Sequence, residues 1–157
     1  MGLLDRWRTR DRDPVAADDD ADPAPEVRPL TEVLTRPLDA EEEARLEAYR
    51  LRYPAYGIDP GDIVSLATAW ARALARDDDG VAAEVVTVFG TAIGDHLVDQ
   101  GYRWVVSTDP FGTDLAVEPP RRGVPVVVRT LVAVRWMQRE AGWVEGVVGH
   151  LARAARR

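Results

Sequence analysis

Residues 100–117 read Gln100-Gly101-Tyr102-Arg103-Trp104-Val105-Val106-Ser107-Thr108-Asp109-Pro110-Phe111-Gly112-Thr113-Asp114-Leu115-Ala116-Val117. Arg103 to Thr108 is aromatic and β-branched, the composition of a strand. Asp109 to Thr113 is turn chemistry: aspartate caps its own backbone, proline presets φ, and glycine accepts unusual backbone angles. Asp114 to Val117 returns. The spacing predicts an antiparallel hairpin over 103–117, with Trp104 in the core because of the area an indole buries.

Upstream, Gly101 is a natural stop for a helix predicted from about Val81 to Gln100. Val81, Val85, Val88, Phe89, Ala92, Ile93 and Leu97 form its broad apolar face. Gly90 and Gly94 lie one turn apart on that helix. Glycine in a helix interior costs roughly 1 kcal/mol, so two of them imply close approach by another element. The expectation is that the glycine-bearing side packs on a small sheet built around Trp104.

Further upstream, Asp39 and Glu42 have capping-box spacing before a helix bearing Leu46, Tyr49 and Tyr53. Pro54 and Gly57 end that helix. A second helix is expected after Asp59, with Pro60 in its first turn and Ile63, Leu66, Ala67, Trp70 and Leu74 inside. Asp77 to Gly80 reads as a turn. Downstream, Pro119 and Pro120 end the hairpin, and a third strand is expected near 124–128. Residues 129–139 fit a strand continuation or a helix; helix is preferred because Leu131, Val132, Val134 and Trp136 do not alternate. Gly142 breaks the pattern and a last helix runs from Trp143 to Arg156. The fold class is therefore α+β: N-terminal helices on a small antiparallel sheet, followed by C-terminal helices.

Residues 37–157 form a single expected domain. Residues 1–36 read as a disordered acidic tail: three consecutive aspartates at 18–20, prolines at 14, 23, 25 and 29, and little apolar material to offset ordering entropy. Leu30 to Pro37 is a transition that could dock on the body. Leu3, Leu4 and Trp7 are read as a frayed terminus rather than a membrane contact, and the start is not read as a secretory signal.

The chain has no cysteine, which removes disulfides, thiolate nucleophiles and cysteine-based zinc sites. All 20 basic residues are arginine, a usage bias that weakens any arginine patch as a sign of phosphate binding. The formal net charge of −7 argues against general nucleic-acid binding, which depends on phosphate neutralisation. Charge is uneven: residues 1–117 carry 12 Arg against 24 acids, and residues 118–157 carry 8 Arg against 3 Glu. No apolar run approaches the roughly 18 residues that span a bilayer, and the expected location is cytoplasmic. There is no P-loop, no nucleophile elbow around Ser65 or Ser107, and no strand before Gly90 to make a dinucleotide turn.

From Phe89-Gly90-Thr91-Ala92-Ile93-Gly94-Asp95-His96-Leu97 through Gly101-Tyr102-Arg103-Trp104-Val105-Val106 to Thr108-Asp109-Pro110-Phe111-Gly112-Thr113-Asp114-Leu115-Ala116, the chain resembles an uncharacterised bacterial family, DUF3806. The shared pattern is a helix with spaced glycines, an Arg-Trp-hydrophobic strand and an Asp-x-x-Gly-x-Asp turn, over roughly residues 81–128. The resemblance implies an α+β domain of bacterial cytosol and no known reaction. The acidic tail and Arg-rich end depart from the family pattern.

Two groups of residues stand out. Asp95, His96, Asp109 and Asp114, with Asp99 nearby, could assemble an oxygen-rich cation site or a catalytic carboxylate pair; the plainer reading is a solvated helix face and turn-capping acids. Arg135, Trp136, Arg139 and Trp143 combine the residue types favoured as interface anchors, against core packing with snorkelling arginines. No cofactor is expected. The leading functional expectation is a non-enzymatic protein-binding or regulatory domain with an unknown protein partner, its acidic tail competing for the basic C-terminal end. A toxin-neutralising immunity-type protein and a weak metal-dependent hydrolase are the alternatives. The oligomeric state is left open.

Overall fold

A computed structural model describes residues 33–76 and 81–156. The expected tail up to residue 32 and the expected turn at 77–80 lie outside the described residues.

The capping box forms as spelled: the Asp39 side chain accepts from the Glu42 backbone N–H, and Glu42 accepts from the Asp39 N–H, both at 2.9 Å. It opens α1 (Ala40–Arg50). Pro54 sits in the first turn of the short α2 (Tyr53–Tyr56), which Gly57 closes at φ +64°, a conformation natural to glycine. The next helix, α3 (Ile63–Ala75), starts three residues later than expected. Asp62 is its N-cap, accepting from Val64 N–H at 2.9 Å, while Asp59 caps the preceding turn through Gly61 N–H. Then comes α4 (Ala82–Asp99), as the apolar periodicity required.

The sheet has three antiparallel strands in the order β1-β2-β3. The hairpin β2 (Arg103–Asp109) and β3 (Gly112–Glu118) lies where the sequence put it. The third strand is β1 (Leu34–Arg36), paired with β2 so that Leu34 faces Thr108 and Arg36 faces Val106. Thus the last three residues of the segment assigned to the tail belong to the sheet. The strand expected at 124–128 shrinks to a single bridge, Val126 to Val117. Pro125 has no N–H for a ladder, and the chain turns into α5 (Val128–Met137) directly afterwards. Residues 129–137 are accordingly helical. The last helical region begins as a π turn (Val144–Val148), in which Gly146 sits, and continues as α6 (Gly149–Ala155).

Register assigns the two sheet faces. Trp104 pairs with Val117 and Val106 with Leu115, so these four share the face turned to the helices. On the other face, Glu118 reaches across to Arg103 Nε at 2.7 Å and Thr35 Oγ1 at 3.3 Å. On that face Val105 and Ala116 are also buried.

The core centres on Trp70, which is fully buried. Phe89, Trp136 and Trp143 each meet its ring edge-to-face, with centroids 5.4, 5.8 and 5.6 Å away. Such pairs add about 0.5–1.5 kcal/mol each beyond area burial. The Trp70 indole N–H is satisfied by the Glu140 carbonyl at 2.8 Å.

The two glycines of α4 do what their cost implied. A Cβ on Gly94 would overlap the Trp104 indole, and one on Gly90 would stand 3.4 Å from the Arg129 backbone of α5. Gly94 therefore lets the hairpin sit against α4, and Gly90 lets α5 do so.

Candidate functional site

The hairpin has two contrasting ends. Its base is built around Asp95, one residue beyond Gly94 on α4. Arg50, near the end of α1, grips the carboxylate with Nε at 2.8 Å and Nη2 at 2.6 Å. Tyr53 Oη donates to it at 2.7 Å and Trp104 Nε1 at 3.0 Å. Four donor atoms from three residues, on α1, α2 and β2, thus converge on one carboxylate whose side chain is 14% exposed. Burial alone would raise the pKa of Asp95; hydrogen bonds from Arg50, Tyr53 and Trp104 outweigh it and hold the group below its ordinary value. The same hydrogen bond raises the pKa of Arg50. Burial, with the Asp95 charge, pushes the Tyr53 hydroxyl up. The arrangement favours the charged pair and ties α1, α2 and β2 to α4.

The tip is the opposite. Asp109 Oδ1 accepts from Phe111 N–H at 2.7 Å and Gly112 N–H at 3.0 Å, fixing the turn. That turn carries Phe111 outward with 98% of its surface exposed. Beside it on the edge strand, Leu34 is 59% exposed, and Val33 precedes it. Among the described residues, the outer edge of β1 has no strand partner.

The residues expected to form an acidic cluster are dispersed among separate tasks. Asp95 is the hub at the base. His96, adjacent in sequence, points elsewhere and pairs its Nδ1 with the Pro60 carbonyl at 2.8 Å in a buried position. Asp109 caps the tip. Asp114 accepts from Leu115 N–H at 2.8 Å and lies 4.0 Å from Arg129. Among the described residues, no three of the His, Asp and Glu side chains come together as metal ligands would. Successive helical positions diverge by about 100°, so Asp95 and His96 could share a site only across a distortion that α4 does not have.

The expected Trp/Arg interface is also corrected. Trp143 is 2% exposed and Trp136 is 9% exposed, both packed on Trp70. Arg139 stacks over the Trp136 ring at 5.1 Å and donates to the Leu74 carbonyl at 2.5 Å. Arg135 lies 5.8 Å from the Trp143 ring centre and pairs with Glu140. These four residues close the aromatic core, with arginine stems laid over indole faces.

Sequence reasoning missed Arg50 and Tyr53 as partners of Asp95, and Phe111 as a surface feature. The available signals were an acid embedded between Gly94 and the apolar positions of α4, and a large apolar side chain at the centre of a turn.

Fold and site define an α+β domain in which a glycine-bearing helix holds a β-hairpin through one carboxylate hub. The chain belongs to the family described as a domain of unknown function (DUF3806), whose model matches residues 62–146. The match takes in α3 and the start of the π turn, beyond the stretch that carried the resemblance. No curated protein and no solved structure matches the chain.

Proposed function

We propose that this domain is a non-enzymatic protein-binding module that presents the hairpin tip and the open edge of β1 to an extended segment of its partner. The single observation that supports this most is Phe111, almost wholly exposed on a turn whose backbone Asp109 holds rigid. A large aromatic in water on a fixed turn contributes nothing to the fold, and aromatics are the favoured anchors of protein interfaces. The edge strand beside it offers unpaired backbone groups, which is how strand addition captures an extended peptide. The acids that a hydrolase would need are engaged in capping and in the Asp95 hub, so the hydrolase alternative is not taken up.

The test is site-specific photocrosslinking in cells making the full chain, from a crosslinking amino acid at position 111 or, as a control, at position 137, where Met137 is 73% exposed on another element. The reading expects one dominant adduct from position 111 that weakens when Leu34→Pro disrupts the edge. Equal, unselective adducts from positions 111 and 137 would overturn it.

A further inference from the structure

The base of the hairpin borders a second surface, at the opposite end from the tip. Beyond β3 a groove of about 240 Å3 lies between residues 119–124 and α6. Tyr102 Oη donates to the Leu151 carbonyl at 3.1 Å, which fixes α6 beside the start of β2. Pro120, Val126, Leu151 and Ala155 give the groove an apolar floor, and Val124, 76% exposed, lines it too. A wider recess of about 530 Å3 shares residues 119–123 with the groove and extends to Arg103 and Glu118.

The charges here do not cancel. Three arginines (103, 121 and 122) line the two recesses against one acid, Glu118, which Arg103 Nε meets at 2.7 Å. Close by, Arg156 Nε donates to the neutral Gln100 side chain at 3.1 Å, and Asp99, next to Gln100, is exposed. Among the described residues, four arginines against two acids leave a surplus of two positive charges beside an apolar floor.

We propose that the chain's own residues 18–26, which lie outside the described residues, occupy this surface in extended form. Their carboxylates meet Arg121 and Arg122, and their alanines and prolines cover Val124 and Leu151. These nine residues hold five acids, two alanines, two prolines and no arginine, so sign and apolar character both match. Guanidinium groups offer carboxylates paired donors. The reach is sufficient. The tail enters β1 close to the tip, where Leu34 pairs with Thr108. From there to the base is one seven-residue strand, about 23 Å. Residue 22 stands 11 residues before Val33, a span of up to about 36 Å. Tethering also gives this segment a high effective concentration, about millimolar, that a separate acidic molecule lacks. The tip stays uncovered in this arrangement, so either proposal can fail alone.

The chain has no cysteine, so one introduced thiol carries a single nitroxide label. The test places it on Ala21→Cys in the full chain and reads paramagnetic broadening of backbone amides by NMR. In low salt, residues 120–124 and 151–155 should broaden most, above 109–113 near the entry of the tail. Combining Arg121→Gln with Arg122→Gln, both at exposed positions, should reduce that broadening about threefold, the scale of exposed ion pairs, and leave the remaining spectrum unchanged. Asp→Asn at 18, 19, 20 and 22, which leaves the folded body untouched, should do the same. So should 1 M salt, where the screening length falls to about 3 Å. Strongest broadening elsewhere on the body, or broadening that survives both sets of substitutions, would overturn the proposal. Broadening seen only between a labelled copy and a separate isotope-labelled copy would overturn it too.

Discussion

The base and the tip of one hairpin, at opposite ends of two seven-residue strands, are treated by the fold in opposite ways. At the base, Trp104 rests on the bare backbone of Gly94, and its indole N–H joins Arg50 and Tyr53 on Asp95. At the tip, Asp109 holds the backbone still while Phe111 faces solvent. A region in which polar atoms are matched and apolar area is covered is accounted for by stability. A region that is rigid yet leaves a large apolar group uncovered is not, and that asymmetry is what directs the functional reading to the tip.

The comparison can be broken most forcefully at Gly94. Alanine there must displace the Trp104 ring, whose indole N–H is bonded to Asp95, and overpacking of this kind costs about 1–3 kcal/mol or more. Gly94→Ala should therefore lower the thermal midpoint clearly, whereas Gly146→Ala, where an added Cβ meets nothing within 4 Å, should be neutral or stabilising.

Next in size is the hub. Asp95→Asn keeps the shape but removes the charge that Arg50 and two further donors address. Charge-assisted hydrogen bonds contribute about 1.5–3 kcal/mol, and a loss of that order is expected in denaturant unfolding. A loss near zero would mean that the hub does not hold the base.

Smaller still is the pH response. Among the described residues three carboxyls, Glu42, Glu84 and Asp95, lie below their ordinary values in the folded chain, Glu84 through its hydrogen bond from Arg52. Hydrogen bonds from Arg36 and from the Asp39 backbone lower Glu42 to about 2, and the Arg50, Tyr53 and Trp104 bonds outweigh burial at Asp95. The unfolded chain therefore binds protons more readily than the folded one. The stability these groups contribute is present above the ordinary carboxylate range and is lost as pH falls through the folded values. The thermal midpoint should hold from neutrality to about pH 5 and fall from there towards pH 2. Asp95→Asn should flatten part of that fall; an identical profile would remove Asp95 from the account.

The smallest effect belongs to the tip. Phe111→Ser should shift stability by no more than about 0.5 kcal/mol, as exposed positions do, while abolishing the crosslink-defined partner contact. A large destabilisation would show that Phe111 is structural.

Much of this was legible in the residues. The glycine pair, Trp104 and the Asp109 turn specify the hairpin and its packing, because each is a local rule whose violation is costly. The expected strand at 124–128 failed because β-branched valines resemble a strand in any context, while Pro125 and the burial of Val128 and Val132 decide the outcome through tertiary packing. β1 was hidden because a three-residue edge strand has too little pattern to read. The interface assigned to Trp136 and Trp143 rested on residue type, and residue type does not say which side of a helix faces Trp70. Arg50 and Tyr53 were illegible as hub partners because they lie more than forty residues from Asp95 in sequence.

The most direct test of the hairpin's attachment is a double-mutant cycle between Gly94→Ala and Trp104→Leu, read by denaturant unfolding. If the indole rests on that glycine, alanine at 94 should cost far less once the ring is gone, giving a coupling of about 1 kcal/mol or more. Strictly additive losses would contradict the contact, and with it the account of how the sheet is held on α4.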